Sequence, residues 1–318
     1  MAKDVLPDET LSRYISLLTD FGFKRIFGEE ANKDLLIDFL NSVLSIDGGI
    51  KDLEYGNPEK QGRVKTDSKV IFDLYCTTGK GERIIIEMQK LPQKYYKDRS
   101  LYYATFPIQE QGEKRKRWNF SLHPVYSVNI VNFNLEKDAD IPEDEYISYV
   151  ELRYRNRNRL FSDKMNFVFL ELPRFPKKID ELQTNVERWT YVLRYLHQLE
   201  DIPATLLCNE IFKKLFEKAA IANMTKDEIT AYNRSLKKSR DMDIVKMEMN
   251  MAKKEMNMAK IEIKERDKTI TILSKEIAAK DNALAAKDNT IAAKDNTIAA
   301  KDKRIAELER QLGVICQL

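Results

Sequence analysis

Two carboxylates stand on either side of one short turn: Asp73 in Phe72-Asp73-Leu74-Tyr75-Cys76, and Glu87 in Ile84-Ile85-Ile86-Glu87-Met88-Gln89. Both arms are rich in β-branched and aromatic residues, so residues 70–76 and 83–89 read as the strands of a hairpin. If the loop is Gly79-Lys80-Gly81, with Gly81 in the left-handed position that three-residue loops favour, pairing centres on Lys80. Asp73 then falls opposite Glu87 with Cβ atoms about 5 Å apart, and Gln89 shares their face. Like charges set opposite each other destabilise a hairpin. In a buried sheet such a pair needs a cation, or one member must keep its proton. The chemistry on offer is half of a divalent-metal site, and the alternative is a solvated strand edge where two acids meet.

The flanking segments must position this pair. Residues 8–45 read as helical, with Leu35, Leu36, Phe39, Leu40, Val43 and Leu44 as one apolar stripe. Asp20 reads as a helix N-cap, with Phe23 and Phe27 facing the core. Residues 46–66 are polar and rich in Gly, Asn and Pro. After the hairpin, residues 95–111 read as a helix with Arg99, Tyr102, Tyr103 and Phe106 on one side. The basic run Lys114-Arg115-Lys116-Arg117 and an apolar strand over 125–133 follow. Helix, strand, strand, helix, strand indicates an α/β or α+β core. An acid-rich stretch over 136–146 reads as a linker or loop. Arg153, Arg155, Arg157 and Arg159 alternate, sharing one face if that segment is extended. Residues 165–172 read as a further strand and 178–225 as helical, with His197 in a structural place.

Composition narrows the classes. Of 318 residues 33% are charged, yet the net charge is only +3, so any polyanion-binding surface must be local. Three widely separated cysteines, Cys76, Cys208 and Cys316, give neither zinc spacing nor a disulfide framework. Two histidines exclude a histidine-rich metal site. With no apolar leader and no membrane-length apolar run, the expectation is a soluble cytoplasmic protein with reduced thiols.

From about residue 240 the chain changes character. Proline and aromatics are absent, and an apolar residue recurs every seven positions from Met242 to Leu312, the period of a coiled coil. The companion seam is poor, because Lys280, Lys287, Lys294 and Lys301 fill four successive d positions whose stems can only snorkel. This pattern predicts homo-oligomerisation through residues 242–316, the alternative being a solvated single helix.

Several short motifs come in order: Leu18-Thr19-Asp20-Phe21-Gly22-Phe23-Lys24, Ile37-Asp38-Phe39-Leu40-Asn41, Asn57-Pro58-Glu59, Phe72-Asp73, Ile86-Glu87-Met88-Gln89 and Arg99-Ser100-Leu101-Tyr102-Tyr103. Together they resemble the Rpn (recombination-promoting nuclease)/transposase family of the PD-(D/E)XK nuclease superfamily. The resemblance implies an α/β, restriction-endonuclease-like mixed sheet flanked by helices. Here that core is followed by a helical region and a long C-terminal coiled-coil helix. The expected domains are a nuclease-like core at 1–135, a strand and helical extension at 136–238, and the heptad region at 239–318.

The resemblance also implies Mg²⁺-dependent (or Mn²⁺-dependent) DNA cleavage, tied to recombination or to processing of mobile-element or phage DNA. By position Asp73 and Glu87 resemble the metal-binding acids, and Asp20 resembles a first-helix acid that supports the metal. Gln89 stands where the family pattern has lysine. An amide can orient a water but brings no charge; Lys69, on the strand face of Asp73, is the candidate replacement. DNA contacts are expected from Arg99, Lys114, Arg115, Lys116, Arg117, Arg153 and Arg155, through phosphates. No base-reading motif is visible, so sequence specificity is expected to be low. A catalytically inactive DNA- or protein-binding module is the alternative, and Gln89 is its best support.

Overall fold

Leu35, Leu36, Phe39, Leu40 and Val43 do form one buried helical face, but the helical stretch around them is shorter than expected. The computed structural model describes residues 12–60, 70–112, 119–136, 142, 144–207 and 209–315, with side chains through 310. Lys69, Lys114, Arg115, Lys116, Arg117, Cys208 and Cys316 lie outside the described residues. Residues 12–19 are not helical; Tyr14 makes an isolated antiparallel bridge with Ala220. Helix α1 is Asp20–Phe27 and α2 is Lys33–Val43. The N-cap of α1 is Thr19, not Asp20. The Thr19 side chain accepts from the Gly22 amide, and Asp20 becomes the first helical residue. Phe23 and Phe27 are buried, as their spacing predicted.

The strands are β1 (Leu53–Tyr55), β2 (Glu59–Lys60), β3 (Val70–Ile71), β4 (Leu74–Thr78), β5 (Arg83–Gln89), β6 (Val125–Val131), β7 (Ile147–Arg153) and β8 (Leu160–Glu171). Six of them form a mixed sheet in the order β1-β4-β5-β6-β8-β7, in which β5, β6 and β8 run parallel. β2 and β3 form a separate two-stranded ribbon. The strand expected over 70–76 is therefore broken. Phe72 donates its amide to the Pro58 carbonyl, and the ladder to β5 starts at Leu74.

The remaining helices are α3 (Tyr96–Gly112), α4 (Asn185–Tyr195), α5 (Ala204–Leu207), α6 (Glu210–Ala219) and α7 (Lys226–Ile315). They cover both sheet faces. Ile84 and Ile86 join Cys76, Val128, Ile130, Val168 and Leu170 in the main core with residues of α1, α2, α4 and α6. Ile85 points the other way, into a small cluster with Val70, Phe72, Tyr75 and Phe106 of α3. Strand alternation thus puts Glu87 and Gln89 on the α3 side of the sheet.

Arg153–Arg159 do not form an extended row. β7 ends at Arg153, and the chain turns back with the Tyr154 carbonyl accepting from Asn158, which is left-handed at φ 47°. Left-handed backbone suits asparagine better than most residues, so the turn breaks the alternation.

The chain divides into two units, residues 1–246 and 247–318. In the first, α7 buries Tyr232, Leu236 and Ser239. In the second, α7 buries no side chain among the described residues. Met249, Met256, Ile263, Ile270, Ile277, Leu284, Ile291, Ile298 and Ile305 are all exposed. No helix among the described residues is long and apolar enough to cross a membrane.

Candidate active site

The hairpin turn sets everything that follows. Gly81 has φ +91°, its amide donates to the Thr78 carbonyl, and Thr78 pairs with Glu82 across the loop. β4 and β5 then pair Leu74 with Ile86, Tyr75 with Ile85 and Cys76 with Ile84. The same register, extended one residue, puts Asp73 opposite Glu87. Backbone pairing gives way there to a reciprocal exchange. The Asp73 amide donates to Glu87 Oε1 (3.2 Å), and the Met88 amide donates to Asp73 Oδ2 (2.7 Å).

Both acids are largely out of water, Glu87 being only 5% exposed. Burial, first of all, and then the facing Asp73 charge push the Glu87 carboxyl up to about 8, against the pull of the Arg99 guanidinium and the Asp73 amide. Burial likewise raises Asp73, the Met88 amide opposes that, and Asp20 adds to the rise. A buried pair in this condition lacks positive charge.

Arg99 of α3, which the sequence suggested only as a DNA contact, partly supplies it. Its Nη2 donates to Glu87 Oε2 (3.1 Å) and its Nη1 to Gln89 Oε1 (3.3 Å) and Gln93 Oε1 (2.9 Å). The guanidinium carbon lies 4.7 Å from the centroid of the Tyr103 ring, a cation–π contact that fixes its plane. Gln89 is held at its other end as well, Nε2 donating to the Leu91 carbonyl (3.0 Å).

Asp73, Met88, Gln89 and Asp20 line one cleft of about 450 Å³ at the carboxyl end of β5. Asp20 stands at its exposed rim, paired with Lys24 (2.8 Å). The opposite wall belongs to α7: Ser235, Lys238, Ser239 and Met242. This wall is pinned by Lys90, whose Nζ donates to the Ser239 carbonyl (3.1 Å) and Asp243 Oδ2 (2.7 Å), and by the Phe21 amide, which donates to Ser235 Oγ (3.1 Å). Sequence reasoning missed these residues. Lys90 and Ser239 are 149 positions apart, and no local pattern announces such a pairing. The end of β7 and the turn after it hold the remaining described candidates, Arg153 and Arg155. Arg153 bonds Glu151 and the Asn158 carbonyl, and among the described residues no hydrogen bond or ion pair joins it or Arg155 to the acidic pair.

Among the described residues no group of three or more His, Cys, Asp or Glu side chains is placed to hold a metal. The pair itself nevertheless fits a hard divalent cation. Asp73 Oδ1 carries no hydrogen bond among the described residues, and burial raises both carboxyls, the facing Asp73 charge adding to the rise at Glu87. Mg²⁺ is commonly held by one or two carboxylates, its other positions going to water and phosphate oxygens.

The hairpin, the mixed sheet flanked by helices and the acidic pair at the end of β5 define a PD-(D/E)XK nuclease-like protein. A family described as "PD-(D/E)XK nuclease family transposase" matches residues 17–249, and the chain belongs to that family. No curated protein and no solved structure matches it.

Proposed function

We propose that this protein is a Mg²⁺-dependent DNA endonuclease of low sequence specificity, working at the Asp73–Glu87 pair. The observation that carries the reading is two opposed carboxylates with raised pKa values, Glu87 buried and Asp73 lining a cleft that runs to the surface. Mn²⁺ has the same oxygen preference and is the natural substitute. When bound, the metal would acidify a water and stabilise charge developing on the scissile phosphate.

The protein's own residues prepare that place. Asp73 and Glu87 would hold the ion, with the Met88 carbonyl as a third oxygen and Asp20 at the rim. The Met88 amide locks the Asp73 carboxylate, and the Asp73 amide locks Glu87. Arg99 puts a fixed positive charge beside Glu87, and Gln89, tied down at Leu91, buttresses Arg99. In this reading Arg99 is a positioning residue, and Gln89 serves it rather than the attacking water.

Supercoiled plasmid incubated with Mg²⁺ tests the proposal: wild type should nick it and Asp73→Ala should not. Equal nicking by the two proteins would sink it. The second reading, a nuclease-like fold that binds DNA without cutting, draws on the absence of a lysine at position 89. It predicts DNA retention with no cleavage by wild type under any divalent metal.

The exposed heptad stripe of α7 supports self-association of two or more copies through the tail. Light scattering on a chain ending at residue 246 should give a lower subunit number than the full chain. An unchanged number would refute the tail as the device of assembly.

A further inference from the structure

The α7 wall of the cleft carries charge that nothing above uses. Arg234 and Lys238 are both exposed, and neither has an ion-pair or hydrogen-bond partner among the described residues. They stand four residues apart, one helical turn and about 6 Å along the axis. Their cationic neighbours are already engaged: Lys24 pairs with Asp20, and Arg25 pairs with Glu228 and donates to the Lys218 carbonyl. Among these four described cations the uncommitted charge therefore sits on α7.

Its place is well defined. A second cleft, of about 540 Å³, lies between α1 and α7 and is lined by Lys24, Arg25 and Arg234 among others. It shares Asp20, Ser235 and Lys238 with the cleft that holds Asp73. The two clefts thus adjoin along a shared wall, and the trough they make reaches Asp73. The wall is also rigid, because Tyr232, Leu236 and Ser239 bury the other side of the same turns. The Ser16 amide donates to the Tyr232 hydroxyl (3.0 Å), and Ser235 and Ser239 are held as described.

We propose that this stretch of α7 is a DNA-binding surface, Arg234 and Lys238 contacting backbone phosphates of a strand that runs along the trough to Asp73 and Glu87. Two carboxylates repel an approaching polyanion, so a strand can be drawn to them only by cations set close by. Phosphates follow one another every 3.4 Å along the duplex axis on one strand, so residues about 6 Å apart on a helix reach two of them. The contacts are to the backbone, which agrees with low sequence specificity. The direction of the strand rests on the nuclease reading; the binding surface does not.

The test measures binding without cleavage. A short labelled duplex is titrated by fluorescence anisotropy with full-length protein in EDTA, over a series of salt concentrations. Arg234→Gln/Lys238→Gln should bind more weakly, with a log K against log salt slope shallower by about 1.8, two phosphate contacts at about 0.9 each. Lys238→Gln alone should give about half that change and keeps the test open if the double variant folds poorly. Lys253→Gln/Lys260→Gln, the same charge change further along the helix, should leave the slope as in wild type. An unchanged slope in the Arg234/Lys238 variant, an equal drop in the Lys253/Lys260 variant, or no duplex binding by wild type would each overturn the proposal. The two readings fail separately. A slope that drops in a protein that never nicks plasmid keeps the surface and removes the catalytic reading; nicking with an unchanged slope does the reverse.

Discussion

Glu87 at the end of β5 and Glu187 in the first turn of α4 are almost equally buried, at 5% and 7% exposed, yet their carboxyls are pushed in opposite directions. Burial raises both. At Glu187 it is outweighed by the Lys177 ammonium (2.5 Å) and by the backbone amides of Thr184 (3.0 Å) and Gln183 (2.7 Å), which hold the group at about 2. The same glutamate closes a capping box with Thr184. Glu87 has one amide and one guanidinium, and it faces a second acid. A buried carboxylate supplied with donors is part of the scaffold. One left short of donors and set against its like is a place waiting for a cation.

The contrast can be broken most sharply at Glu87. Glu87→Gln should remove Mg²⁺-dependent nicking, by more than the roughly 10–100-fold that loss of an outer-shell partner costs. Its urea midpoint at pH 8 should be no lower than that of wild type, since a neutral amide relieves the charge pair. A lower midpoint would mean that Glu87 belongs to the scaffold after all. Glu187→Gln should do the opposite, lowering stability at pH 7 by about 2 kcal/mol while leaving nicking per folded molecule unchanged. That stability is present above the carboxyl's unfolded value and is lost as pH falls towards 2.

A smaller effect separates the two glutamates in pH. A raised carboxyl contributes stability in full below its unfolded value and loses it as pH rises through its folded value. Metal-free wild type should therefore melt progressively lower as pH climbs from about 6 through 8. Asp73→Asn, which removes the facing charge, should flatten that curve. Parallel curves for the two proteins would show that the pair is not the origin of the slope.

The sequence made the hairpin legible because its constraints are local. Gly81 needs its positive φ, the loop fixes the register, and the register puts Asp73 opposite Glu87. The central strands and flanking helices were legible for a similar reason, through runs of apolar residues, whereas the edge strands β1, inside the polar stretch 46–66, and β7 were not. The family motifs were visible too, but not their division of labour. Asp38 accepts from the Trp189 indole (2.6 Å) and from Asn185 Nδ2 (2.8 Å), and Asn41 bonds both backbone groups of Ile50. Those motif residues hold the scaffold. Asp20 missed the cap by one residue, because Thr19 beside it has an equally suitable oxygen. The arginine row failed at a left-handed Asn158. Arg99 was legible as a cation for DNA but not as the partner of Glu87, and the α7 wall was out of reach, since its role depends on contacts between distant segments, which no spacing rule encodes.

The exchange of bonds at the end of the hairpin has a practical consequence. In an ordinary ladder the amides of residues 73 and 88 would point at carbonyls, whose character hardly changes with conditions. Here each points at a carboxylate oxygen of the candidate site, Asp73 N–H at Glu87 and Met88 N–H at Asp73. The two amide resonances are thus built-in spectroscopic probes, one for each acid. Nitrogen-15 labelling would let a titration follow Glu87 through the Asp73 signal and Asp73 through the Met88 signal, separating two protonations that bulk measurements would blend.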